Sequence, residues 1–270
     1  MADPTPRRED LARQARQHLA SLQANGVEWL PNAPPPRRQP MAVKSPAPSI
    51  GDTSSSLFER TSAATDSDRP APDQRRRELA VLVEEVRPCT LCPELAETRT
   101  QTVFGVGPID ADLCLIGEAP GADEDRQGEP FVGAAGQLLN RILAACGMTR
   151  ADVYICNILK CRPPGNRTPR PDEAASCRGF LDRQLKLIGP KFIVCLGGTA
   201  AQNLLGTTAS LGKLRGTFHD YHGIPVMCTY HPAYLLPHRS PDKKKDVWED
   251  MKMLLQRMGK PIPAPGGSKG

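Results

Sequence analysis

Three polar side chains able to donate or accept hydrogen bonds follow closely on short apolar runs. Glu118 comes after Leu113-Cys114-Leu115-Ile116-Gly117, Asn157 after Val153-Tyr154-Ile155-Cys156, and His231 after Val226-Met227-Cys228-Thr229 and Tyr230. The first lies in Gly117-Glu118-Ala119-Pro120-Gly121, which leads into Ala122-Asp123-Glu124-Asp125 and then Glu129-Pro130-Phe131-Val132-Gly133. Glycines let a backbone approach a flat ligand, Glu118 and Glu124 supply two carboxylates, and Phe131 supplies a ring able to stack. Together they outline a binding site.

The elements that must position these residues alternate along the chain. Apolar runs at 113–116, 153–156, 192–196 and 226–229 each lead into a polar or glycine-rich turn, and helical patterns such as 136–146 and 173–188 lie between them. That order predicts an α/β fold of three layers, αβα, around a central four-stranded parallel sheet. Right-handed crossovers bring all four turns to one edge, the carboxyl edge where open α/β sheets bind ligands. Glu118, Asn157 and His231 are therefore expected in one crevice. A helix capped by Asp73 and running to Val86 opens the domain, with Leu79, Leu82, Val83 and Val86 at helical spacing. One begun by Ser240-Pro241-Asp242 closes it, with Val247, Met251, Leu254 and Met258 turned inward.

With 270 residues, 39% of them hydrophobic, the chain is long enough for one full domain and a remainder. Residues 1–73, with runs such as Pro34-Pro35-Pro36 and Ser54-Ser55-Ser56, hold few large apolar side chains and read as a disordered arm. A short amphipathic stretch at 9–22 is the one ordered possibility in it. Residues 74–258 form the domain and 259–270 a flexible Pro/Gly tail. The arm's nine Lys/Arg and nine Asp/Glu cancel, so the net +5 belongs to the remainder, a mild excess compatible with a polyanionic partner. No apolar run is long enough to span a membrane and the N-terminus lacks a secretory pattern, so a cytoplasmic, monomeric protein without membrane contact is expected.

An odd number of cysteines, nine, in such a chain argues against disulfides. Cys114, Cys156, Cys195 and Cys228 lie within strand runs and Cys146 within an apolar helix, so these five read as core. Cys89, Cys92, Cys161 and Cys177 lie instead among prolines and arginines. Four thiolates suit tetrahedral zinc or a [4Fe–4S] cluster. One C-x-x-C pair followed by single cysteines after 68 and 15 intervening residues is closer to the cluster than to a two-pair zinc ribbon.

The sequence resembles the family 4 uracil-DNA glycosylases, the iron–sulfur branch of that superfamily. The resemblance rests on Gly117-Glu118-Ala119-Pro120-Gly121 with Glu124-Asp125; on Pro130-Phe131-Val132-Gly133 running into Gly136-Gln137-Leu138-Leu139; on Asn157-Ile158-Leu159-Lys160-Cys161-Arg162-Pro163-Pro164 with Asn166; and on His231-Pro232-Ala233-Tyr234-Leu235-Leu236. It covers about residues 79–256 and leaves the arm outside.

What the resemblance implies is hydrolysis of the N-glycosidic bond of deoxyuridine in double- or single-stranded DNA, opening base excision repair, after the base is flipped from the stack. Cys89, Cys92, Cys161 and Cys177 fall where that family holds a structural [4Fe–4S] cluster. Phe131 would carry the base, Asn157 would accept from uracil N3–H and donate to O4, and His231 with the main chain of Glu118-Ala119 would stabilise charge on O2. Ala119 stands where first-family glycosylases have an aspartate, so either Glu118, the first choice, or Glu124 would position water, or the reaction would run largely on leaving-group stabilisation. Glu124 has a second possible task, shaping the pocket against thymine. Leu235 or Leu236 would wedge into the vacated stack, and Asn166, Lys160, Arg162, Arg167, Arg170, Lys213 and Arg215 would meet the backbone. Two rivals stand beside this reading: a relative that binds or crosslinks to uracil-DNA without turnover, and an iron–sulfur or zinc module that binds nucleic acid without chemistry. The crosslinking branch carries a basic, histidine-ended insertion after the cysteine-side loop and Gln in its first motif. Ala119 and the uninterrupted 162–177 stretch speak against it.

Overall fold

A computed structural model describes residues 69–263. The expected disordered arm lies outside the described residues up to 68, with its 9–22 stretch, and the tail lies outside them from 264 onward. Helix α1 (Pro72–Val86) opens the described part, followed by the short α2 (Pro93–Thr98). Pro72 at its first position suits the start of a helix, because proline's fixed φ is already helical and its missing N–H would have no partner there. Asp73 is not the cap: Ala71 stands there, and Asp73 in the first turn pairs with Arg76 at 2.7 Å.

The sheet has the order β2-β1-β3-β5-β4, with β1 (Leu113–Gly117), β2 (Val153–Asn157), β3 (Phe192–Leu196) and β5 (Ile224–Thr229) parallel. The four apolar runs thus form four parallel strands. The expectation of a four-stranded sheet is corrected by β4 (Phe218–Tyr221), which pairs antiparallel with β5 along one edge. That strand is four residues long, mostly half-exposed, and carries no apolar run. Its hairpin turns through His222 and Gly223, both at positive φ (51° and 84°), the backbone that a two-residue turn of this twist demands.

Alternate side chains send the sheet's two faces into two cores. Cys114, Ile116, Tyr154, Cys156, Cys195 and Cys228 pack beneath α5 (Pro171–Ile188) and α6 (Gly198–Leu205). On the other face, Leu115, Ile155, Val194 and Met227 pack beneath α4 (Ala134–Ala145) and α8 (Lys244–Arg257). The three-layer order is the one expected, and the five cysteines read as core are buried. The last helix is preceded by a single 3-10 turn, Pro241–Lys243, and Ser240 makes no side-chain cap. No helix among the described residues is long and apolar enough to cross a membrane.

Candidate active site

Strands β1 and β2 end level, with Gly117 paired to Asn157. Pairing continues past the strand ends: Ile158 N–H donates to the Gly117 carbonyl at 2.9 Å and Leu159 N–H to the Glu118 carbonyl at 3.1 Å. The Glu118 turn and the Asn157 side chain are thereby fixed side by side. Asn157 is 1% exposed, and its Oδ1 is one of two buried side-chain oxygens among the described residues that accept no hydrogen bond. Buried carboxamide oxygens are ordinarily satisfied. This one is an acceptor held ready for a donor that the protein does not supply.

Gly117 makes that arrangement possible. A Cβ there would lie 2.4 Å from Asn157 Oδ1 and 2.6 Å from Phe131 Cζ, so both side chains rest on a bare Cα. Phe131 itself adopts φ 56°, a left-handed backbone costly for a bulky residue and a mark of functional loops. Three supports hold it there. Arg150 donates to the carbonyls of Phe131 (3.1 Å) and Pro130 (2.8 Å). Gly136 in α4 presses so closely that a Cβ would overlap the Phe131 carbonyl. Glu124, in α3 (Ala122–Gln127), accepts from Val132 N–H (2.9 Å) and Gly133 N–H (3.0 Å) with Oε1 and from Gly121 N–H (3.1 Å) with Oε2. Both oxygens of Glu124 are thus spent bracing the loop. The Glu118 carboxylate, half-exposed in the same cleft, receives no hydrogen bond from a described residue.

His231 caps the 3-10 turn Pro232–Leu235, its Nδ1 accepting from Ala233 N–H at 3.1 Å. A neutral ring that accepts at Nδ1 carries its proton on Nε2. Burial pushes the His231 pKa down to about 4, so at neutral pH the ring is an uncharged N–H donor. Its centroid lies 5.4 Å from that of Phe131, with the planes tilted by 31°.

Glu118, Ala119, Glu124, Phe131, Asn157 and His231 line a single cleft of about 360 Å³, with Asn166 and Arg167 on its rim. That volume lies in the range of small-ligand sites. Arg239, in an unpatterned polar stretch, lines it without a signal in the sequence, and Tyr234, from the His231–Leu236 motif, lines it as well, 41% exposed and stacked on Tyr230 at 5.4 Å.

Other candidates fall elsewhere. Leu235 is 1% exposed and packed in the core beneath α4 and α8, so it has no side chain to offer a duplex; Leu236 is only half-buried. Arg215 is engaged with buried Asp250 (3.0 Å) and the Asp246 carbonyl (2.7 Å), and its guanidinium lies over Tyr230. It braces α8 against β5 instead of facing a phosphate. Lys213 is exposed on the one-turn α7 (Leu211–Leu214) but does not line the cleft. Arg167 holds Glu173 through two bonds (2.9 and 2.6 Å), and Arg170 pairs with Glu94 at 2.5 Å. Lys160, also expected at phosphates, is 1% exposed and points inward.

Cys89, Cys92, Cys161 and Cys177 line one recess, walled by Leu91, Leu95, Leu159 and Phe180. Among the described residues no three Cys, His, Asp or Glu side chains converge on a single ion. The chemistry of the four donors nonetheless fits a tetrathiolate-bound group: Arg99 Nη1 donates to Cys161 Sγ (3.0 Å) and Lys160 N–H to Cys177 Sγ (3.4 Å). Donors aimed at sulfur are what iron–sulfur sites use to stabilise thiolates. Burial pushes the thiols of Cys92, Cys161 and Cys177 up, Cys161 to about 11.

Residues 104–252 match the family model described as the uracil DNA glycosylase superfamily. Over 179 residues the chain is 47% identical to the type-4 uracil-DNA glycosylase of Thermotoga maritima, spanning 65% of this chain and 93% of that protein. The type-4 enzyme of Archaeoglobus fulgidus is 43% identical over 67% of this chain and 94% of its own length. A type-5 uracil-DNA glycosylase from Pyrobaculum aerophilum is 32% identical over 54% and 79%.

Proposed function

The chain belongs to the type-4 uracil-DNA glycosylases of the uracil DNA glycosylase superfamily and is a DNA glycosylase; from that premise we propose how its cleft carries out the reaction. A deoxyuridine is flipped out of the DNA and its base lies against Phe131. Asn157 Oδ1 accepts from N3–H, and its amide donates to O4. Cytosine presents an acceptor at N3 and a donor at N4, so it would leave two buried groups opposed, and a site left with unpaired polar groups discriminates strongly. The observation that carries this reading is the buried, unpartnered Asn157 oxygen, on a residue that lines the same cleft as His231.

As the glycosidic bond breaks, electron density collects on uracil O2 and positive charge on the sugar. The His231 Nε2–H faces that oxygen with the main-chain N–H groups of the Glu118-Ala119 turn. A preorganised donor of this kind is worth about 3 kcal/mol of barrier. A neutral ring suits the task because it donates without first requiring a proton. Glu118, its carboxylate unengaged, holds the attacking water and faces the cationic sugar, whereas Glu124 has no free oxygen for it. Release of the base leaves an abasic sugar. Tyr234, Asn166, Arg167 and Arg239 line the cleft that would receive the strand, with Leu236 as the wedge and exposed Lys213 adding positive charge beyond it.

Cys89, Cys92, Cys161 and Cys177 would hold a [4Fe–4S] cluster. When bound, it supplies a structural staple joining the loop after α1, the loop after β2 and helix α5, with no part in the hydrolysis. Nine free thiols suit a reducing compartment, and a cytoplasmic monomer is the simplest state consistent with the reading. The test is incubation with a uracil-containing oligonucleotide, paired with guanine, paired with adenine or single-stranded, followed by alkali. Scission at the uracil position is expected. Intact strands in all three contexts would end the enzymatic reading.

A further inference from the structure

The four-residue step from Asn157 to Cys161 encloses a lysine that neither DNA binding nor the cysteine ligands explain. Lys160 is 1% exposed. Its Nζ donates to the Asn157 main-chain carbonyl (3.0 Å) and to Gln184 Oε1 (2.6 Å), and it lies 5.6 Å from the centroid of the Phe104 ring. Gln184, wholly buried in α5, is itself fixed, its Nε2 donating to the Phe104 carbonyl (3.0 Å) and to Tyr154 Oη (2.9 Å). Among the described residues no carboxylate pairs with this ammonium. Burying a charge is expensive unless every donor is well used, and an apolar residue of similar length would fill the space at lower cost. What the charge does locally is hold the carbonyl of Asn157, the cleft-lining residue whose buried side-chain oxygen is unpartnered.

We propose that Lys160 is a positioning residue: its ammonium, clamped by Gln184, fixes the main chain of Asn157 so that Oδ1 meets the base edge. This rests on the reading of Asn157 as the group that recognises uracil. The main chain of Lys160 is tied at both ends as well, its carbonyl accepting from Val103 N–H (2.7 Å) and its N–H donating to Cys177 Sγ. The lysine is thus the rigid joint between the recognition residue and the cysteine loop that begins at Cys161.

The experiment is a double-mutant cycle on full-length protein, read as single-turnover excision rates from uracil-DNA at saturating enzyme, with binding to the same oligonucleotide measured separately. Lys160→Met is expected to lower the excision rate at least tenfold while changing DNA affinity less than threefold. In the Asn157→Ala background the same change should lower it less than twofold, because a residue acting only through Asn157 has nothing left to position; coupled neighbours deviate from additivity in this way. Gln184→Met, which releases the ammonium without altering the lysine, carries the cycle if Lys160→Met does not fold. Equal losses in both backgrounds would overturn the positioning role. Full activity of Asn157→Ala would overturn the recognition reading beneath it, a different and separately visible result.

Discussion

Gly117→Ala places one methyl group where two working side chains already rest. Its Cβ would lie 2.4 Å from Asn157 Oδ1, 2.6 Å from Phe131 Cζ and 2.8 Å from Phe131 Cε2, roughly 1 Å inside ordinary contact. Neither neighbour retreats cheaply. Asn157 is held at its carbonyl by Lys160, and Phe131 at its carbonyl by Arg150 and by Gly136 behind it. The carboxamide or the ring must therefore shift by about 1 Å, a displacement that typically costs on the order of 100-fold in rate. The global cost of such local overpacking is smaller in consequence, about 1–3 kcal/mol, so the variant should fold. The assay is single-turnover excision of uracil, with urea unfolding of the same preparation as control. Excision is expected to fall about 100-fold in a protein that still unfolds cooperatively. A folded Gly117→Ala enzyme within threefold of wild type would refute the claim that these two side chains hold the base.

Three further outcomes follow from the same geometry. His231, at about 4 when folded against about 6.5 unfolded, stays neutral while the unfolded chain takes up a proton. Stability should therefore be unaffected by this group above about pH 6.5 and decline as the pH falls from there toward 4; urea midpoints should show a shallower decline in His231→Gln, and equal slopes would contradict the assignment. Leu235→Ala should cost about 2–5 kcal/mol in stability as a core truncation, whereas Leu236→Ala, at a position only half-buried, should lower the thermal midpoint less and weaken excision from duplex more than from single strands; the reverse pattern would restore Leu235 as the wedge. Protein purified without oxygen should be brown, with broad absorption near ~400 nm, and Cys161→Ser should lose both colour and iron; a colourless preparation with one zinc would overturn the cluster.

The sequence carries most of the fold because its four parallel strands are continuous apolar runs, each followed by a turn with its own chemistry. The edge strand Phe218–Tyr221 escapes such reading since half of it faces solvent and its pairing is set by a hairpin. Within the site, residue types and motif spacing bring out Glu118, Phe131, Asn157 and His231, which the fold gathers into one cleft. Side-chain direction is what they cannot give. Leu235 and Leu236 are adjacent and chemically identical, yet one is buried in the core and the other only half-buried against it. Lys160 and Arg215 read as surface cations by type, but each is drawn inward by partners remote in sequence, Gln184 and Asp250. The same remoteness hides Glu124's role, which becomes visible only when three main-chain N–H groups from two loops are seen to meet its carboxylate.

Free base released from DNA tests the central claim most directly. Oligonucleotides carrying one radiolabelled uracil or one radiolabelled cytosine at the same position are incubated with the wild-type protein and with Asn157→Asp, and the freed base is separated and counted. Wild type should release uracil and no cytosine, while Asn157→Asp should lose uracil release or shift toward cytosine. Release of both bases by wild type, or unchanged uracil specificity in Asn157→Asp, would contradict a cleft that reads the base through Asn157.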